Sequence, residues 1–103
     1  MKVYNKLVRD KIPRIIEEEG RKPVYHTVGL TEHKQRLFNK MKEELQEFQE
    51  APCVEEIADM YEVLLAIAEM HRIDMYDVII CADRKRKERG GFRAGFVLEM
   101  VDK

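Results

Sequence analysis

Residues 42–59 read Lys42-Glu43-Glu44-Leu45-Gln46-Glu47-Phe48-Gln49-Glu50-Ala51-Pro52-Cys53-Val54-Glu55-Glu56-Ile57-Ala58-Asp59, and their reading decides the fold. Both halves carry helical spacing, and Ala51-Pro52 divides them. Proline cannot continue a helix from inside but fits at the start of the next one. The stretch therefore predicts two antiparallel helices joined by a tight turn. Glu44 and Glu47 are three residues apart and share a face, as do Glu56 and Asp59. In such a hairpin facing positions have a constant sum. Position 44 then faces 59, and position 47 faces 56. Four carboxylates stand at matched levels and converge. Gathered at the edge of a core, they repel one another and lose hydration, and a cation relieves both penalties. All-oxygen ligation suits a hard ion, Mg²⁺ or Mn²⁺. Either pair alone reads equally as a solvated acidic face; the second pair in register favours a metal site.

Outward from this hairpin, the helix before the turn spans 32–50, with Thr31 as its expected cap. Its apolar stripe is Leu37, Phe38, Met41, Leu45 and Phe48, which Glu44 and Glu47 flank. The helix after the turn runs from about Cys53 to about Arg72. Beyond Asp59 it is apolar nearly all round, through Met60, Tyr61, Val63, Leu64, Leu65, Ile67 and Ala68. A helix of that kind is buried nearly all round. In a chain of 103 residues that is most simply arranged in a homodimer or higher homo-oligomer whose bundle core includes it.

The remaining segments are shorter. Asp10 is the expected cap of a first helix with Pro13 in its first turn and an inner face of Ile12, Ile15 and Ile16; Gly20 ends it. Val24, His26 and Val28 alternate with Tyr25 and Thr27, a strand pattern. Phe96, Leu98 and Met100 alternate in the same way near the end, so the two segments could pair into a small two-stranded sheet. Asp74 caps a fourth helix with Met75, Val78, Ile79 and Ala82 as its inner stripe. That helix ends in Arg84-Lys85-Arg86-Lys87-Glu88-Arg89 before Gly90-Gly91. Cations there complement the helix dipole; the same run next to a glycine turn also reads as a phosphate-binding patch. The expected class is all-α in the main, a four-helix bundle forming a single domain over 1–103.

Composition bounds the function. The net charge is −1, with 45% apolar and 38% charged residues, so no bulk attraction to nucleic acid or acidic membranes exists. The longest apolar run, Val63 to Ala68, is bounded by Glu62 and Glu69 and is too short to span a bilayer. The start, Met-Lys-Val-Tyr-Asn-Lys, lacks the apolar core of a signal peptide. Cys53 and Cys81 form no close motif and read as free thiols, which fits a cytoplasmic location. His26, His33 and His71 are scattered without ligand spacing. No P-loop, nucleophile elbow or dinucleotide fingerprint occurs.

Three segments together carry a resemblance. Glu43-Glu44-x-x-Glu47 with Glu56-x-x-Asp59 resembles the MazG-like, all-α nucleoside triphosphate pyrophosphohydrolase superfamily. Tyr4-Asn5-Lys6-Leu7-Val8-Arg9-Asp10-Lys11-Ile12-Pro13 resembles the opening of its phosphoribosyl-ATP pyrophosphohydrolase-like branch, and Arg89-Gly90-Gly91-Phe92 resembles its close. One departure is the spacer: eight residues separate Glu47 from Glu56, which leaves little room for a specificity loop. The resemblance implies Mg²⁺-dependent hydrolysis of a nucleotide substrate between its α and β phosphates, giving a nucleoside monophosphate and pyrophosphate. It implies Glu44, Glu47, Glu56 and Asp59 as metal ligands, with Mn²⁺ as an alternative ion. Glu43 and Glu47 would be catalytic, Glu43 supporting the attacking water. Lys6, Arg9, Lys11, Lys85 and Arg89 would lie near the phosphates, although each also reads as a solvated surface cation. A second class of function is a non-catalytic dimeric helical module that binds a metal or nucleotide.

Overall fold

A computed structural model describes residues 2–102. Four helices follow one another: α1 (Ile12–Glu18), α2 (Leu30–Glu50), α3 (Val54–Met70) and α4 (Met75–Arg89). The class is all-α. Residues 24–28 and 96–101 form no strand among the described residues, so the expected two-stranded sheet is absent there. Alternation supplies only a preference for extended backbone; a strand needs a partner and a surface to cover. Val24 and Phe96 have neither and stand almost fully exposed. No described helix is long and apolar enough to cross a membrane.

Helix ends show which local signals governed the chain. Pro13 lies in the first turn of α1, but Lys11 is its N-cap, with no side-chain cap bond; Asp10 does not serve as the expected cap. Likewise α2 begins two residues earlier than expected. Gly29 is its N-cap and Thr31 falls within the first turn. Asp74 does cap α4, its Oδ1 accepting from Tyr76 N at 2.9 Å. Two helices close alike. At the end of α1, Gly20 N donates to Glu17 O and Arg21 N to Ile16 O. At the end of α3, Arg72 N donates to Glu69 O and Ile73 N to Ala68 O. Both are Schellman closures that require a left-handed residue. Gly20 fills the first freely, whereas Arg72 holds φ 56° at a steric cost.

The core lies between α2 and α3, which are the only pair of described helices in extensive contact. Leu37, Val63 and Ala68 are its buried apolar residues. Burying a residue such as Leu37 contributes about 2 kcal/mol. At the far end of the hairpin, the Phe38 and His71 rings stack with centroids 5.9 Å apart, and His71 Nδ1 lies 2.8 Å from Ile67 O. His71 thus fastens the end of α3 against α2.

The chain is far from a compact globule. Its radius of gyration is 18.4 Å and its extents are 63 × 32 × 24 Å, whereas a compact chain of this size has a radius near 13 Å. Ile57, Tyr61 and Leu64 on α3 and Leu45 on α2 remain exposed. The expected inner stripe of α4 finds no core: Met75 and Val78 are half-buried and Ile79 and Ala82 exposed. Among the described residues no other helix packs extensively against α4.

Candidate metal centre

The hairpin brings Glu44 beside Asp59 as the register expects, whereas Glu47 and Glu56, expected to face each other, fall in two different close groups. Oxygen atoms of Glu44, Glu56 and Asp59 lie within 4.8 Å of one another, and so do those of Glu43, Glu44 and Glu47. Glu44 belongs to both groups and is the centre of the cluster. No histidine or cysteine joins them among the described residues, and Cys53 and Cys81 are free thiols.

One placement differs from expectation. Glu44 does not flank the apolar seam; it lies in it. It is 5% exposed, while Leu45 beside it is 48% exposed. The helical period explains the exchange. Leu37 starts the seam, and position 44 is two turns on, along the same line. Leu45 is rotated away by one residue. A carboxylate therefore occupies the best-packed line of the molecule.

Its surroundings satisfy it only in part. Glu44 Oε1 lies 3.4 Å from Lys40 Nζ. Glu44 Oε2 and Glu56 Oε2 are buried with no hydrogen-bond partner among the described residues. An unsatisfied buried acceptor costs roughly 1–3 kcal/mol, and more when charged. Burial first, then the nearby Glu47 charge, raise the Glu44 carboxyl from the ordinary 4.5 to about 7. Burial and the Glu47 charge also raise Glu56. Glu43 goes the other way: burial pushes it up, but the Lys6 hydrogen bond and the charges of Lys40 and Lys6 outweigh this and hold it below the ordinary range.

Residues 2–9 form an irregular strap that brings Lys6 and Arg9 to this face, and a turn at 10–11 leads into α1. Lys6 Nζ reaches Glu43 Oε1 at 3.0 Å, and Arg9 Nη2 reaches Asp59 Oδ1 at 2.7 Å. Asn5 adopts a left-handed backbone, φ 48°, which asparagine tolerates. Its carbonyl accepts from Arg36 Nη1 at 3.2 Å. Two of the five expected phosphate-binding cations, Lys6 and Arg9, are thus at the cluster. No hydrogen bond or ion pair joins Lys11, Lys85 or Arg89 to these acids among the described residues. Lys11 caps α1, and Lys85 and Arg89 lie on exposed turns of α4.

Sequence reading missed Lys40 and Arg36. Lys40 stands 3.5 Å from Glu43 Oε1 and 3.4 Å from Glu44 Oε1. Its spacing of three and four residues from those acids was the available signal. Arg36, a further turn back on the same face, carried the same signal.

The donor set suits a hard divalent ion. It is all oxygen, it is negatively charged, and two of its buried oxygens lack donors. Zinc and softer metals favour the nitrogen and sulfur ligands absent from these groups. Comparison with protein-family models, curated proteins and solved structures finds no match to this chain, so the resemblance rests on the sequence motifs alone.

Proposed function

We propose that this protein is a Mg²⁺-dependent nucleoside triphosphate pyrophosphohydrolase of the MazG-like kind, cleaving between the α and β phosphates and working as a homodimer. The observation that carries the reading is the seam position of Glu44. A buried carboxylate with an oxygen lacking any donor, ringed by Glu43, Glu47, Glu56 and Asp59, is costly unless a cation is bound. Mn²⁺ fits the same donors.

Glu44, Glu47, Glu56 and Asp59 are the residues that would hold the metal. Bound there, a divalent ion neutralises charge on the phosphoryl oxygens and on the leaving pyrophosphate. The protein's own groups divide the remaining work. Glu43, held ionised by Lys6 and Lys40, accepts a hydrogen bond from the attacking water and orients it. Its lowered pKa suits orientation better than proton storage, since an efficient general base titrates near the working pH. Lys6 and Arg9 neutralise Glu43 and Asp59 at rest. Both lie in exposed, solvent-screened ion pairs that contribute little to stability, and exchange readily onto phosphate oxygens. The uncovered apolar faces of α3 and α4 support the dimer, because patches of this kind mark interaction surfaces.

The test is a panel of nucleoside triphosphates assayed for pyrophosphate release with Mg²⁺ and with Mn²⁺. Release of pyrophosphate together with the nucleoside monophosphate is the expected result. Metal binding without any release would place the protein in the non-catalytic binding class instead. Calorimetry showing neither Mg²⁺ nor Mn²⁺ binding at millimolar concentration would remove the metal site itself.

A further inference from the structure

Beside the acids lies a concavity whose far wall, at Asn5, Arg36 and Asn39, has no part in the proposed function. The strap at Asn5 and Lys6 crosses α2 over Arg36, Asn39, Lys40 and Glu43, and a cleft of about 100 Å³ remains between them. We propose that this cleft binds the terminal diphosphoryl end of the nucleoside triphosphate. The proposal rests on the metal reading of the acids and assigns the neighbouring subsite.

Charge is the first argument. Lys6, Arg36 and Lys40 line the cleft against a single carboxylate, Glu43, so its walls favour an anion. Position is the second. Arg36, Lys40, Glu43 or Glu44, and Glu47 follow one another at helical spacing along one stripe of α2, which passes from cations to acids within about three turns. A polyphosphate lying along that stripe meets direct cationic donors at one end and the metal ligands at the other. Size and chemistry select the phosphate end over the nucleoside. Drug-sized pockets run to several hundred Å³ with aromatic and apolar walls; this cleft is smaller, and none of its lining residues is aromatic.

The donors are aimed but weakly engaged. Arg36 Nε lies 2.8 Å from Glu32 Oε2, and its Nη1 donates to the Asn5 carbonyl, so the guanidinium is held in one orientation. Its planar fork suits phosphate oxygens. Glu32 is half-exposed, and a multiply charged anion displaces a pairing of that kind at little cost. Asn39 adds an amide whose Oδ1 accepts from Gln35 Nε2 at 3.1 Å.

The experiment measures calorimetric binding of inorganic pyrophosphate, with and without Mn²⁺, to the wild type and three variants. Arg36→Gln removes a donor. Asn39→Asp keeps shape and places a negative charge in the cleft; as Asn39 makes no bond to the strap among the described residues, this variant stays informative if Arg36→Gln loosens the strap. Lys34→Gln removes one positive charge from α2 outside the cleft. Pyrophosphate should bind about tenfold more weakly to the first two, the loss of one charge-assisted hydrogen bond, and as in wild type to the third, with Mn²⁺ affinity unchanged throughout. Equal binding to all four proteins overturns the proposal. So does Mn²⁺ binding with no pyrophosphate binding in either condition, which leaves the metal reading standing. Should Mn²⁺ itself fail to bind, the metal reading falls alone if the metal-free arm still shows the loss in the two cleft variants; without that loss both fall.

Discussion

Helices α3 and α4 both carry apolar residues at helical spacing, yet only one of them is packed. The α3 helix buries Val63 and Ala68 against α2, and along the same seam the protein places the Glu44 carboxylate. The α4 helix buries nothing, and Tyr76, Ile79 and Ile80 face outward. The contrast separates two reasons for a residue's location. Apolar side chains that point to water lack a partner, and their free energy is recovered when one arrives. A carboxylate in the best-packed line is there against its solvation preference, and the Lys40 ion pair offsets that cost only in part.

The hairpin side of this comparison breaks most sharply through its charges. In Glu47→Gln and Asp59→Asn each side chain keeps its shape and loses one negative charge. Both variants should fold, by circular dichroism, and both should lose about two orders of magnitude or more in pyrophosphate release, as expected for a principal electrostatic contact. Glu50→Gln is the control: Glu50 is exposed, at the end of α2, and accepts from Gln46 Nε2 at 3.4 Å. Unchanged release in the first two would make the four acids a solvated face after all.

A smaller effect lies in stability. The Glu44 carboxyl titrates at about 7 when folded, against an ordinary 4.5, so the folded state holds the proton more tightly. That contribution is fully present below about 4.5 and is lost as pH rises through 7. Metal-free protein should therefore melt at progressively lower temperature from pH 5 to pH 8. Glu44→Gln should flatten the slope, and Mn²⁺ should remove it by stabilising the ionised cluster. A wild-type melting temperature that rises over this range without metal would contradict the burial of Glu44.

The α4 side is sharpened by solution mass. Light scattering of the wild type at micromolar concentration should give at least twice the 12.3 kDa of one chain. Leu64→Lys and Ile79→Lys should shift the distribution toward single chains while leaving helicity unchanged, since both side chains are already exposed in the protomer. A wild-type mass near that of one chain would overturn the dimer.

Much of this architecture was legible because it is periodic. The helices follow from apolar spacing, the turn from Pro52, the α4 cap from Asp74, and the convergence of the acids from matched positions across a short hairpin. What was not legible depends on contacts between distant parts of the chain. Lys6 meets Glu43, and Arg9 meets Asp59, across separations of 37 and 50 residues, for which no local pattern exists. The depth of Glu44 depended on the rotation of α2 about its axis by a single residue, finer than a stripe of apolar positions resolves. The expected strands failed for the opposite reason: their local pattern was adequate, but no partner segment packs beside them.

The shortness of the turn at Ala51-Pro52-Cys53 bears on how the protein folds as well as on what it holds. All five acids fall within the 17 residues from Glu43 to Asp59, so the centre assembles from contacts close in the chain. Closing so small a loop is entropically cheap, and low contact order makes for fast folding. Early formation of the hairpin would gather like charges before much apolar surface is covered, and repulsion would then weigh on the transition state as well as on the final structure. A divalent ion present during refolding should then accelerate folding, with a smaller effect on the unfolding rate.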